Sequence, residues 1–428
     1  MVVRSVSSAS ISPSRSSAAV TLTIMVRRGV PGLPWAPYPE SRVAGGPMWW
    51  QAEFPQDDGI AYLNHAGVSP WPACTRDAVA EFAAENVRQG AAAYPRWLEA
   101  EHRLKNRLAE LINAPSSDTI ALVKNTSEGL SMIAWGLDWA PGDEVVINRH
   151  EFPSNRIVWE SLARLGVRVR DVSWTVGDPD PESRLIEAMG PKTRLLAVST
   201  VQYASGERMD IARLVTACRE RGVLCCVDGI QSLGALPLDV AALAPDFVVA
   251  DGHKWLLGPE GLGFMYVRPE LIGQLQLYQY GWHMVEHAGD YDRSDWAPAA
   301  SARRFECGSP NMLGVHALVA SVSLLLEVGP DTIAENVLDN TRHLMDWVDQ
   351  RPELELITPR EGGRHAGIVT FRAPGADARA LWKRLSSAGV VAAHRMGGVR
   401  FSPHFYTEPT RLEYATEQLL AALPHCRA

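Results

Sequence analysis

Apolar and polar positions follow two rhythms along this chain. From about residue 75 onward, stretches with apolar residues at helical spacing alternate with short runs that are apolar throughout. Pro95 opens a segment that sets Trp97, Leu104, Leu108 and Leu111 on one face, and Asn113-Ala114-Pro115 closes it, which predicts a helix. The short runs are Thr119–Val123, Glu144–Ile147, Val167–Val169, Leu195–Ser199, Val223–Val227 and Phe247–Ala250. Most are separated by a helix's length, as Asp210–Arg221 separates Val223 from the run before it. Runs without a polar face belong to strands covered on both sides. The pattern therefore predicts an α/β fold with a mainly parallel central sheet covered by helices.

The rhythm changes after Pro310. Helical patterns over Val315–Val328 and Asp331–Asp349 precede strands at Leu354–Ile357 and Gly367–Phe371, then a helix near Asp377–Ala388. A hairpin follows, Val390–His394 with Val399–Ser402, turned by Gly397-Gly398. These elements predict a large domain over residues 48–310 and a smaller C-terminal α+β domain over 311–428, with no internal repeat and no long linker. Residues 1–47 stand apart: Met1 to Pro39 holds no acidic residue, while Arg4, Arg15, Arg27 and Arg28 are spread through serine, alanine and proline. That composition fits a disordered extension, a targeting segment, or translation read from an upstream start, with Met48 as an internal one.

Composition narrows the class. The 428 residues are 46% hydrophobic, and 41 basic against 49 acidic side chains give a net charge of −8. Nothing in that balance draws the whole molecule to nucleic acid or an anionic membrane. No run of about 18 uncharged apolar residues is present to span a bilayer. Six cysteines are too few for a disulfide scaffold and form no C-x-x-C pair. Adjacent Cys225 and Cys226 lie in an apolar run and read as small core residues. The expectation is a soluble protein of a reduced compartment, cytoplasmic.

In a parallel sheet, ligands gather at the carboxyl ends of the strands. The run Val223–Val227 ends in Asp228, and Phe247–Ala250 ends in Asp251-Gly252-His253-Lys254. A lysine in an apolar crevice becomes a nucleophilic amine, and a buried carboxylate needs a cationic partner. A heteroaromatic aldehyde satisfies both, its ring nitrogen protonated beside Asp228 and its carbonyl captured by Lys254 as a Schiff base. An Asp–Lys ion pair at the rim is the plainer alternative. Lys124-Asn125-Thr126-Ser127-Glu128-Gly129 follows a strand and opens the helical run Leu130–Leu137, a place for a phosphate or for an ordinary helix cap. Phosphate site, aspartate and lysine together match the three handles of pyridoxal 5'-phosphate. Gly258–Gly263 lacks the dinucleotide order G-x-G-x-x-G and leads into another strand-like run, Phe264–Val267. With no H-E-x-x-H, no G-x-S-x-G and only scattered histidines, metal and serine hydrolysis lose their support, and no metal is expected.

From Tyr62-Leu63-Asn64 to Phe405-Tyr406 the chain resembles the class V aminotransferase group of fold type I pyridoxal phosphate enzymes. That group spans cysteine desulfurases, selenocysteine lyases, kynureninases and isopenicillin epimerase-like proteins. The resemblance rests on Val227-Asp228-Gly229-Ile230-Gln231-Ser232, on Gly252-His253-Lys254-Trp255-Leu256-Leu257-Gly258-Pro259-Glu260-Gly261, and on Arg304-Phe305-Glu306-Cys307-Gly308-Ser309-Pro310-Asn311. It implies that Lys254 carries the cofactor and shuttles the substrate proton, and that Asp228 holds the pyridinium proton. Gln231 then bonds the phenolic oxygen, Thr126, Ser127 and His253 hold the phosphate, and Phe152 stacks on the ring. By the same resemblance Ser309 reaches the phosphate of a neighbouring subunit, which implies a homodimer with shared sites. Arg400, with Asn64, binds an amino-acid substrate through its free carboxylate.

Three departures bear on activity. Phe152 stands where desulfurases place a histidine. No cysteine precedes Arg400 on the small domain, Cys307 lying in another motif and Cys426 near the terminus, so a persulfide relay lacks its thiol. Asp251 stands where relatives often place a phosphate-binding serine, and is expected to turn away or to bond backbone amides. The leading expectation is transamination. The alternatives are a carbon–sulfur or carbon–selenium lyase without a persulfide cysteine, an epimerase, and a non-catalytic interaction protein of the same fold. Trp282-His283, ahead of a loop rich in Asp, Tyr and Trp, is the segment expected to shape specificity.

Overall fold

The computed structural model describes residues 48–427, so the extension expected over 1–47 lies outside the described residues. After the two-residue β1 (Ala61–Tyr62), every apolar run of the first two thirds becomes a strand of one sheet: β2 (Ile120–Val123), β3 (Glu144–Asn148), β4 (Arg168–Val172), β5 (Thr193–Ser199), β6 (Leu224–Asp228), β7 (Phe247–Asp251) and β8 (Gly263–Val267). Their order is β2-β8-β7-β6-β5-β3-β4, parallel except for β8, which runs against both its neighbours. The central strands are buried on both faces, Cys225 and Cys226 among them, because helices cover both sides of the sheet. The edge strand β4 instead carries Arg168, Arg170 and Asp171 into solvent, where charge discourages pairing with another chain.

Helices α1 (Ala73–Gln89) and α2 (Tyr94–Leu111) pack against the apolar helix Met312–Val328, which is buried along nearly its whole length. No single described helix is long and apolar enough to cross a membrane. One buried ionic cluster ties α2 to the chain ahead of that helix: Lys105 Nζ lies 3.0 Å from Glu101 and 2.8 Å from Glu306. His283 completes it, 3.7 Å from Glu101 and 3.8 Å from Glu306. These ligand types would suit a cation, and the lysine ammonium already supplies one. His283 is thus buried within this cluster, while Trp282 beside it lines a cavity with Tyr291 and Trp296 of the following loop.

A second sheet, in the order β12-β13-β10-β9, is formed by β9 (Glu355–Leu356), β10 (Val369–Arg372), β12 (Ala393–Arg395) and β13 (Gly398–Phe401). The hairpin differs from its sequence reading. Its turn residues are Met396 and Gly397, both at positive φ (49° and 69°), as a two-residue turn between twisted strands requires. Gly398 is a strand residue for a different reason: a Cβ there would lie 2.1 Å from the Phe371 carbonyl oxygen of β10. Val390–Val391 leaves the hairpin as β11 and pairs in parallel with β1, joining the start of the described chain to its last quarter.

Candidate active site

The carboxyl ends of β6 and β7 meet at one rim. Asp228, the last residue of β6, is opposite Val249 of β7, and Lys254 follows three residues beyond the end of β7. Both side chains are buried, with relative exposures of 2% and 8%. Burial pushes the Asp228 carboxyl up to about 6, and the nearby Lys254 ammonium pulls it back. Burial brings the Lys254 amine down to about 8 against the attraction of Asp228, and Arg400 lowers it further. Lys254 thus feels the charge of both groups expected to act with it. A lysine so placed is a far better nucleophile near neutral pH than a free one.

Lys254 Nζ lies 5.5 Å from the centroid of the Phe152 ring, and Phe152 is 41% exposed. An aromatic face left open beside the reactive amine is what a planar heterocycle needs. The ring's other contact is edge-on to Tyr203, with centroids 5.1 Å apart. The loop that carries Phe152 is anchored by Glu151. That buried carboxylate accepts bonds from Ser199 N (2.8 Å), Gln202 Nε2 (3.2 Å) and Asn155 Nδ2 (3.1 Å), and burial lifts it to about 7.

Gln231 is held at both ends of its amide: Trp255 Nε1 donates to its oxygen (3.0 Å), and its nitrogen donates to Ala66 O (3.2 Å). One amide proton remains for a ligand oxygen. On β13, Arg400 is 1% exposed and has no carboxylate partner among the described residues. Its Nη1 donates to Tyr203 O (2.6 Å) and its Nη2 to Asn64 Oδ1 (3.0 Å), while its Nε is buried without a partner. Burial and the neighbouring Arg395 pull its proton affinity down to about 9. An uncompensated guanidinium at this depth awaits an anion. Asn64 therefore orients Arg400, in the space left by Gly67, where a Cβ would meet Asn64 Nδ2 at 2.6 Å.

The phosphate end is set by α3 (Thr126–Gly136). Asn125 caps it by accepting from Glu128 N (2.9 Å), which leaves the first amides and the positive end of the dipole for an anion. Thr126 Oγ1 is buried with no partner among the described residues, and Ser127 Oγ meets Ser154 Oγ at 2.7 Å. Gly129 brings α3 onto the sheet: a Cβ there would lie 2.6 Å from Val249 Cγ1 of β7. Asp251 does bond a backbone amide, Gly252 N (2.9 Å), and lies 3.0 Å from His253 Nδ1. His253 is thus drawn toward Asp251. Ser309 is exposed on the loop ahead of the helix Met312–Val328 and makes no hydrogen bond among the described residues.

An orphaned hydroxyl at a helix N-terminus, a held amide with one free donor, an open aromatic face and a lysine–aspartate pair all fit pyridoxal phosphate. Sequence reasoning missed Glu151, Tyr203, Trp255 and Arg395. Glu151 and Trp255 adjoin residues that were found, so adjacency was the available signal; Tyr203 carried none.

Fold and site define a carbonyl-cofactor enzyme centred on a lysine, and the comparisons agree. The family model described as aminotransferase class-V matches residues 61–403; the chain belongs to that family and is a pyridoxal phosphate-dependent enzyme of fold type I. It is 30% identical over 379 residues to a probable cysteine desulfurase of Methanothermobacter thermautotrophicus, covering 84% of this chain and 93% of that protein. It is also 30% identical over 324 residues to a cysteine desulfurase of Escherichia coli, covering 73% and 77%. The solved structure of the cystine C–S lyase C-DES with its product cysteine persulfide superposes with a TM-score of 0.78 at 25% identity, covering 85% of this chain and 97% of that one.

Proposed function

We propose that this enzyme cleaves the carbon–sulfur bond of a cysteine-type amino acid and expels the sulfur directly, without passing it to a protein thiol. Its similarity to cysteine desulfurases across most of both chains favours this over transamination. The observation that carries the direct expulsion is the place of the cysteines. Cys74, Cys218, Cys225, Cys226 and Cys426 are buried, and the half-buried Cys307 bonds Gln279 (3.5 Å) ahead of the helix Met312–Val328. None lies between Cys307 and Arg400, where a relay thiol would stand. The structurally similar C–S lyase acts on cystine and gives cysteine persulfide.

Pyridoxal phosphate, when bound, supplies the electron sink for bond breaking at the substrate's α-carbon. Arg400 holds the α-carboxylate in its planar fork, with Asn64 and the Tyr203 carbonyl fixing the guanidinium. Lys254 Nζ takes the α-proton, for which its depressed proton affinity suits it near neutral pH. Asp228 keeps a proton on the ring nitrogen, and Gln231 offers its free N–H to the phenolic oxygen. Thr126, Ser127 and the first amides of α3 hold the phosphate.

The test is product analysis with cysteine and cystine. Sulfur release with pyruvate and ammonia, undiminished in Cys307→Ser, is expected. Amino transfer to a keto acid without sulfur release would contradict the reading, and alanine with a persulfide on Cys307 would contradict direct expulsion. The homodimer implied by Ser309 belongs to the same proposal. Exposed Tyr278, Tyr280, Tyr291 and Trp296 supply an aromatic face for it, and a sedimentation mass of one chain for the holoenzyme would refute it.

A further inference from the structure

The small-sheet hairpin carries a second arginine that the mechanism above leaves unused. In the β12–β13 register Ala393 faces Arg400 and Arg395 faces Gly398, so Arg395 and Arg400 lie diagonally on one face. Both reach Tyr203: Arg400 Nη1 donates to its carbonyl at 2.6 Å, and the Arg395 guanidinium lies 6.0 Å from its ring centroid. That ring meets Phe152, which lies beside Lys254 Nζ. A short row of side chains thus leads from the reactive amine to Arg395.

Arg395 is poorly satisfied where it sits. Its Nη1 donates to the carbonyl of its own neighbour, His394 (2.8 Å), its Nε is buried without a partner, and no carboxylate pairs with it among the described residues. Other arginines here do find acids: Arg364 pairs with Glu182 and Arg372 with Glu355. The Tyr203 ring is at the outer limit of a cation–π contact and does not account for the position. Two guanidinium groups on one face repel, and an anion held between them relieves that repulsion.

We propose that Arg395 is a second anion receptor in the substrate pocket, so that the preferred substrates carry an acidic group at the far end of the side chain. This rests on Arg400 holding the α-carboxylate. In the C–S lyase reading the substrate class is a disulfide or thioether amino acid whose leaving half bears a carboxylate. The α-proton goes to Lys254, the Cβ–S bond breaks with its electron pair leaving on sulfur, as a thiolate from a thioether or a persulfide anion from a disulfide, and the three-carbon remainder takes up water to give pyruvate and ammonia. The leaving acid then departs protonated, as a thiol from a thioether and as a persulfide from a disulfide.

Two isosteric pairs separate this inference from the reaction assignment. α-Aminoadipate and norleucine lack a scissile C–S bond and differ by the terminal carboxylate; S-carboxymethylcysteine and S-ethylcysteine are their sulfur counterparts. Dissociation constants are read from the change in cofactor absorbance of the holoenzyme. The wild type is expected to bind α-aminoadipate at least about tenfold more tightly than norleucine, as a charge-assisted bond in a shielded site provides. Arg395→Met should erase that preference while leaving norleucine binding within about threefold, and Arg395→Lys should keep part of it. Equal binding of the two by the wild type, or equal loss of both in Arg395→Met, overturns the proposal. If Arg395→Met does not fold, a full preference retained in Arg395→Gln overturns it instead. Binding preference without pyruvate from either sulfur compound would refute the lyase reading and leave Arg395 as assigned.

Discussion

Lys254 is an amine whose surroundings decide what it can do. A lysine in water is protonated at neutral pH, and only its neutral form attacks a carbonyl. Here burial favours the neutral form, with the proton leaving near 8, and that sets a pH dependence with a definite sign. As pH rises through about 8 the neutral fraction grows, so the rate at which apoprotein captures pyridoxal phosphate should rise with a midpoint near 8. Stopped-flow absorbance checks this, and a midpoint near the ordinary lysine value contradicts it. The opposing carboxyl, Asp228, is lifted to about 6 by burial and needs a cation to be ionised at no penalty, which a protonated ring nitrogen provides. Both residues were legible in the sequence because each ends an apolar run at the sheet rim. Arg400 was reached only through family resemblance: an arginine on a two-faced strand carries no local mark of what it faces. Its significance lies in what it lacks, a carboxylate partner, and only the packed structure reveals that.

At the scale of elements, the site depends on how closely α3 approaches β7. Gly129 leaves no side chain between them, so the helix N-terminus and Thr126 reach the strand rim. Gly129→Val should push α3 away from Val249, destabilising the protein by about 1–3 kcal/mol as overpacked positions do. Cofactor affinity should fall with it, measured by titrating apoprotein with pyridoxal phosphate alongside thermal unfolding. Unchanged affinity in a folded variant would show that the helix end does not hold the phosphate. The central strands were readable because their runs are apolar on both faces, the mark of a covered sheet, whereas the edge strand β4 showed only the short run Val167–Val169. The turn at Met396-Gly397 was misread because the glycine pair looked like the turn, whereas Gly398 is demanded by the close passage of β10. The β1–β11 pairing was invisible: two-residue strands have no periodicity, and their partners are more than three hundred residues apart.

For the molecule as a whole, the cofactor's handles come from distant parts of one chain. Thr126 and Ser127 open α3, Phe152 lies on the loop after β3, Asp228 ends β6, Lys254 lies three residues past the end of the adjacent β7, and Arg400 comes from the small sheet. The groups proposed to make bonds and the arginine proposed to grip substrate thus come from different sheets, joined by Tyr203 and Asn64 against Arg400. Such a division lets the small-sheet hairpin change substrate preference without disturbing the lysine–aspartate pair.

The most direct measurement is borohydride reduction of the purified holoprotein, followed by peptide mass spectrometry, beside the visible spectrum of Lys254→Ala. One pyridoxyl phosphate adduct fixed on Lys254, with the cofactor band absent from the variant, is the expected result. An adduct on another lysine, or none in protein that retains the band, would contradict the account.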